Sequence, residues 1–204
     1  MNLVVCEDKI SASRAASKWC ADRKPKSMFL PAGNTPLPLY HLWEVERPAF
    51  LEKCQFVQID DVLTGRGRGQ FRAFFEKELP SAVPRFHWID RADEGAEIAL
   101  LGLGLNGHIA FHEPGLGDEF YSGCVKLSAT TCNALGSEQG TWGVTYGAGA
   151  FHACRAIAIL VTGASKKEVL AKLLNRDRTL PASGLLAHAD ITVIADRDAY
   201  GAST

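Results

Sequence analysis

Apolar and polar positions along the chain alternate between two periods. Short apolar runs predict strands at residues 2–6, 27–30, 55–59, 86–89, 97–103, 141–146, 156–162 and 191–195. Between them, helical spacing or composition predicts helices at 9–23, 36–46, 70–79, 130–138, 165–175 and 181–188. Phe71, Phe74 and Phe75 recur at helical spacing, and Pro36 opens its helix where a missing N–H costs little. The run at 97–103 is almost continuously apolar, as a strand buried on both faces would be. TGRGRG at 64–69 and the stretch from Glu113 to Gly123 read as loops.

Strand and helix taking turns over the whole length imply an α/β fold of three layers. A mostly parallel, open, Rossmann-like sheet would be flanked by helices in a single domain over residues 1–204. Ligands of such sheets sit beyond the carboxyl ends of the strands, so the chemistry is expected there. With 47% hydrophobic and 22% charged residues the chain is globular rather than disordered. Basic and acidic residues number 22 and 23, so no basic excess points to nucleic acid or an anionic membrane. No apolar run is long enough to span a bilayer, and the first residues turn charged too soon for a secretory leader. A cytoplasmic setting is therefore expected. The six cysteines then read as reduced thiols rather than as a disulfide framework or a zinc site.

Four strand ends carry candidate chemistry. Leu30-Pro31-Ala32-Gly33-Asn34-Thr35-Pro36 joins a strand to a helix, where backbone N–H groups and the helix dipole suit an anion. Gly33 allows close approach and Thr35 can donate, although Asn34 or Thr35 could equally be an ordinary N-cap. Gln58-Ile59-Asp60-Asp61 ends a strand on two carboxylates. Side chains alternate along a strand, so one can face a substrate while the other holds a helix or loop. Gly102-Leu103-Gly104-Leu105-Asn106-Gly107-His108 leaves the most apolar strand and runs on into IAFHEPG. His108 titrates near neutrality and Glu113 could hold its ring. The GxGxxG within this segment is a weak dinucleotide signal, because no clear amphipathic helix follows it and no acid follows on a second short strand about 20 residues on. Finally, Thr162-Gly163-Ala164-Ser165-Lys166-Lys167 places lysines at a helix start, which the dipole disfavours unless an anion lies between.

Taken in order, LPAGNTP, the aspartates after QI, LGLGLNGHIAFHEPG and LVTGASKK resemble the glucosamine-6-phosphate deaminase (isomerase) family, a relative of the 6-phosphogluconolactonases. The resemblance runs from about Met28 to Ile194. Its most specific part is GHIAFHEPG, whose Phe111, Glu113 and Pro114 favour the deaminase branch. It implies that Gly33, Asn34 and Thr35, with Lys166, bind a sugar phosphate, and that Asp61, Gly102 and Leu103 line the same site. It implies Asp60 as the acid that moves a proton between C2 and C1, His108 as the ring-opening histidine, and Glu113 and Asn106 as its supports. It implies no cofactor and no metal, and a small-molecule sugar phosphate as partner, with no nucleic acid or membrane. Self-association into a homo-oligomer stays open.

Three departures stand against that pattern. Asn106 replaces a usual aspartate and supplies no negative charge to His108, which should then be harder to protonate. The phosphate-binding arginine expected after the EPG loop has no match, since residues 121–128 offer only Lys126; Arg66 or Arg68 is a substitute to test. The chain is also short, with a helix lacking between Phe86 and Leu100. Two alternatives follow: a lactonase-like hydrolase using His108 to activate water, and a non-catalytic sugar-phosphate sensor.

Overall fold

The computed structural model describes residues 1–91 and 94–201. The elements follow in the order β1 (Asn2–Cys6), α1 (Lys9–Arg23), β2 (Ser27–Leu30), α2 (Leu37–Glu46), β3 (Gln55–Gln58), β4 (Asp60–Val62), α3 (Gln70–Glu78), β5 (Phe86–His87) and β6 (Ile98–Gly102). After these come β7 (Ser122–Lys126), α4 (Ala129–Leu135), β8 (Trp142–Tyr146), α5 (Ala148–His152), β9 (Ala156–Val161), α6 (Lys167–Leu174), β10 (Ile191–Asp196) and α7 (Arg197–Tyr200). Seven strands form one parallel sheet in the order β1-β10-β9-β6-β2-β3-β5. Its central strands β6, β9 and β10 are the apolar runs, buried along almost their whole length. One face packs on α1, α2 and α3 through Trp19, Tyr40, Trp43 and Phe75. The other packs on α5, α6 and α7 through Phe151, Leu170 and Ala199. The α/β architecture of three layers is the one expected.

A second sheet was not expected. β4, β8 and β7 form a small antiparallel sheet beside the large one. The strand expected at 55–59 therefore stops at Gln58, and Ile59 hands the chain from one sheet to the other. Its N–H reaches Leu30 O at 3.4 Å while its carbonyl accepts from Tyr146 N at 2.8 Å. The strand at 141–146 belongs to this small sheet, and part of the expected loop after Glu113 is its edge, β7. The segment at 181–188 is a run of 3-10 turns, Pro181–Ala187, rather than an α-helix. Pro36 caps α2 from outside instead of opening it. No helix among the described residues is long and apolar enough to cross a membrane.

Candidate active site

The carboxyl ends of β2, β3, β6 and β9 converge on one cleft of about 260 Å³. Eight of the eleven residues singled out in the sequence line it: Gly33, Asn34, Thr35, Asp60, Gly102, Leu103, His108 and Lys166. Asp61, Asn106 and Glu113 do not. Among the described residues no cluster of His, Cys, Asp and Glu could hold a metal ion.

The turn after β2 is held from beneath. Tyr40, fully buried on α2, donates its hydroxyl to Pro31 O at 2.6 Å. Gly33 has φ +108°, a conformation closed to most side chains, and the space beside it is open. No side chain caps α2, so neither Asn34 nor Thr35 is spent on the N-cap role that the sequence left open. Across the cleft, β9 runs on into Gly163, whose N–H donates to both carboxylate oxygens of Asp196 at 3.0 Å. The turn so anchored delivers Lys166, whose Nζ donates to Leu103 O at 2.7 Å. Burial lowers the pKa of Lys166. An incoming anion would oppose that shift, so charge and cleft are matched. Among the described residues no arginine lines this cleft. Arg68 lines a separate hollow with Arg72, Trp88 and Asp61, so it does not replace the missing arginine here.

Asp60 and Asp61 separate as strand alternation predicts. Asp60 is buried in the cleft wall, and its pKa is pushed well above the carboxylate range by burial and then by the neighbouring Asp61 charge. Asp61 is turned away and does not reach a ligand in the cleft. Its carboxylate accepts from Val62 N at 2.7 Å, Gln58 Nε2 at 2.9 Å, Arg72 N at 3.0 Å and Phe71 N at 3.1 Å. It satisfies the open N–H groups at the start of α3, where Gly69 brings no capping side chain. The substrate-binding role expected for Asp61 is thus corrected to holding α3 and, with it, Phe71 at the cleft wall.

His108 lies over Gly104, where a Cβ would come within 2.4 Å of the imidazole. The intervening turn is closed by Gly104 N to His108 O at 2.8 Å and Gly107 N to Gly104 O at 3.0 Å. Thr131 Oγ1 lies 3.4 Å from His108 Nδ1, and Glu113 Oε2 lies 4.0 Å from the same nitrogen. Asn106 does not touch the ring. Its Oδ1 accepts from the His108 backbone N–H at 3.2 Å and its Nδ2 donates to Glu113 Oε2 at 3.3 Å. Glu113 Oε1 accepts from Ser128 N at 3.1 Å. Asn106 and Glu113 therefore stand behind His108 rather than in the cleft. Burial lowers the His108 pKa, Glu113 works against that, and Lys166 adds to it. The expected reluctance to protonate is present, with desolvation rather than Asn106 as its largest cause.

The remaining wall is apolar, made by Phe71, Ala110, Phe111, Ala134 and Leu135. Sequence reasoning did not place these in the cleft wall, nor did it find Tyr40, Thr131 and Asp196, which act through contacts distant in sequence.

Residues 71–194 match the family model described as glucosamine-6-phosphate isomerases/6-phosphogluconolactonase, which is more than half of the chain. The chain belongs to this family. Among curated relatives, a glucosamine-6-phosphate deaminase of Bacillus pumilus is 27% identical over 238 aligned positions covering 98% of each chain. One of Halalkalibacterium halodurans is 36% identical over 113 residues, 52% of this chain and 46% of that one. Among solved structures, a monomeric glucosamine-6-phosphate deaminase superposes with TM-score 0.84 at 24% identity, covering 98% of this chain and 99% of that one. The 6-phosphogluconolactonase of Leishmania guyanensis superposes with TM-score 0.79 at 20% identity, covering 100% and 98%. These structural likenesses establish the fold shared across both branches of the family.

Proposed function

We propose that this family member converts glucosamine 6-phosphate and water to fructose 6-phosphate and ammonia. The observation that carries the reading is the meeting of Asp60 and His108 in one cleft with the Gly33–Thr35 turn and Lys166. The phosphate is anchored by the turn's N–H groups, Thr35 and Lys166, far from the reacting carbons, so that binding positions C1 and C2. His108, held neutral by burial, takes the O1 proton and passes it to O5 as the C1–O5 bond breaks. Asp60 then removes the C2 proton while O1 takes a proton from the substrate's ammonium group, and the proton held by Asp60 is returned to C1. The amino group is left on a C2 imine, water adds to C2, and ammonia departs. A base for C2 profits from a raised pKa, which strengthens the carboxylate as a proton acceptor.

A second reading is favoured by the same neutral imidazole. His108 could take a proton from water attacking a phosphosugar lactone, a reaction in which Asp60 has no part. Assay of the purified chain with glucosamine 6-phosphate and with 6-phosphogluconolactone separates the two. Ammonia and ketose from the amino sugar, abolished in Asp60→Asn, support the deaminase. Lactone hydrolysis that survives Asp60→Asn, with no ammonia, supports the hydrolase. Tight binding of either compound without turnover would leave a sugar-phosphate sensor.

A further inference from the structure

The large sheet has two unlike edges. β5 is only two residues long, a common way of blunting an edge. β1 is five residues long, pairs with β10 on one side only, and is exposed over Asn2–Val5. Residues 2–6 (NLVVC) contain no lysine, proline or other charge that would deter a further strand. Leu3, Val4 and Val5 are 39%, 40% and 41% exposed. The helices flanking this edge add Ile10, in the first turn of α1, and Tyr200, at the end of α7. Five of the ten exposed large hydrophobic side chains among the described residues therefore belong to β1 and its flanking helices.

We infer that β1 is a self-association edge, on which two copies of this chain pair their β1 strands antiparallel about a two-fold axis at Val4. Such pairing satisfies the open N–H and C=O groups of both strands and joins the two sheets into one. It sets Leu3 against Val5 of the other copy and Val4 against its own counterpart. The two-fold keeps faces together. Val4 is level with Ile194 and shares the α1 side with Cys6, while Leu3 and Val5 are level with Val193 and Ala195 on the α7 side, so each flank meets its like. Charge agrees with this register. No charged residue lies within the paired segment, and Glu7 and Asp8, which close β1, fall at opposite ends of the two-stranded ribbon, away from their own copies.

The extent of the patch sets the strength. Five partly exposed apolar side chains per copy are far fewer than the roughly 20–30 residues a side of a standard interface. The dimer is accordingly weak and concentration-dependent. The cleft opens at the ends of β2, β3, β6 and β9 and stays clear of the contact.

Sedimentation equilibrium of the full chain over a rising concentration series tests this. The expected result is a mass that climbs from monomer towards twice that value, and that stays at monomer in Val4→Lys but not in Val45→Lys, an exposed control on α2. A Val4→Cys variant gives a second readout. Directly opposed residues of an antiparallel pair have Cα atoms about 4.5–5.5 Å apart, within disulfide reach. Mild oxidation of that variant should yield a disulfide between the two introduced thiols, one from each copy, identified by mass spectrometry and absent from Val45→Cys. A wild type that remains monomeric throughout overturns the proposal, even if it binds an extended peptide along β1. So does a dimer that survives Val4→Lys without the cross-link in Val4→Cys.

Discussion

Asp60 and Asp61 are consecutive on β4, yet Asp60 opens into the cleft while the Asp61 carboxylate is used up by four hydrogen bonds, two of them to the start of α3. The pairing makes one carboxylate a structural anion and presses the other towards its protonated form. This division of labour gives Asp60 its proposed chemistry and gives stability and activity opposite dependences on pH.

For stability, the folded pKa of Asp60 lies above its unfolded value of about 3.9, so its contribution is full below that value and is lost as pH rises through the folded pKa. For catalysis, the base must be ionised, so kcat/KM climbs with pH over the same window. Asp60→Asn should flatten both slopes. Its thermal midpoint at pH 7 should exceed the wild type's, and deaminase turnover should fall by ~100-fold or more. Thermal melts and a pH–rate profile on both proteins check this.

Lys166 is the lysine that lines the cleft, and the proposed phosphate anchor. Lys166→Ala should raise KM for the sugar phosphate about 10-fold or more, equivalent to ~1.4 kcal/mol, with a smaller effect on kcat. Initial-rate kinetics show the split. A loss confined to kcat would mean that the lysine does not hold the phosphate.

Asn106 faces Glu113 at 3.3 Å, so an aspartate there would set two carboxylates side by side. Asn106→Asp should destabilise the fold by about 1–3 kcal/mol through the lost part-buried hydrogen bond. Urea unfolding of both proteins measures it, and wild-type stability in the variant would contradict the pairing.

Gly104 has the His108 ring where its side chain would be. Gly104→Ala should displace the imidazole, with a stability cost of about 1–3 kcal/mol from overpacking and a larger proportional loss of activity. Ligand-free crystal structures of variant and wild type would show the ring moved. A displaced ring with wild-type activity would remove His108 from the reaction.

The parallel sheet was legible because β6, β9 and β10 are buried on both faces and so read as unbroken apolar runs. The small sheet was not. β4 is three residues long, and β7 reads Ser-Gly-Cys-Val-Lys with Val125 as its one buried side chain, too little contrast to mark a strand. The site was legible where glycine punctuates a strand end, as at Gly33, Gly104 and Gly163. It was illegible where a side chain reaches across the chain, as Tyr40 does to Pro31, Asp196 to Gly163 and Thr131 to His108. Asn106 is the instructive case. Its identity was plain, but its partner, Glu113 rather than the imidazole, is a matter of geometry.

The central claim, that Asp60 carries a proton between C2 and C1 of a substrate opened by His108, is tested most directly by running the reaction in deuterium oxide. The fructose 6-phosphate formed from glucosamine 6-phosphate is then read by NMR. The wild type should give deuterium at C1 of the product, from exchange on the Asp60 carboxyl, and Asp60→Asn should give neither product nor exchange at C2 of the substrate. Continued turnover and C1 labelling with Asp60→Asn would contradict it.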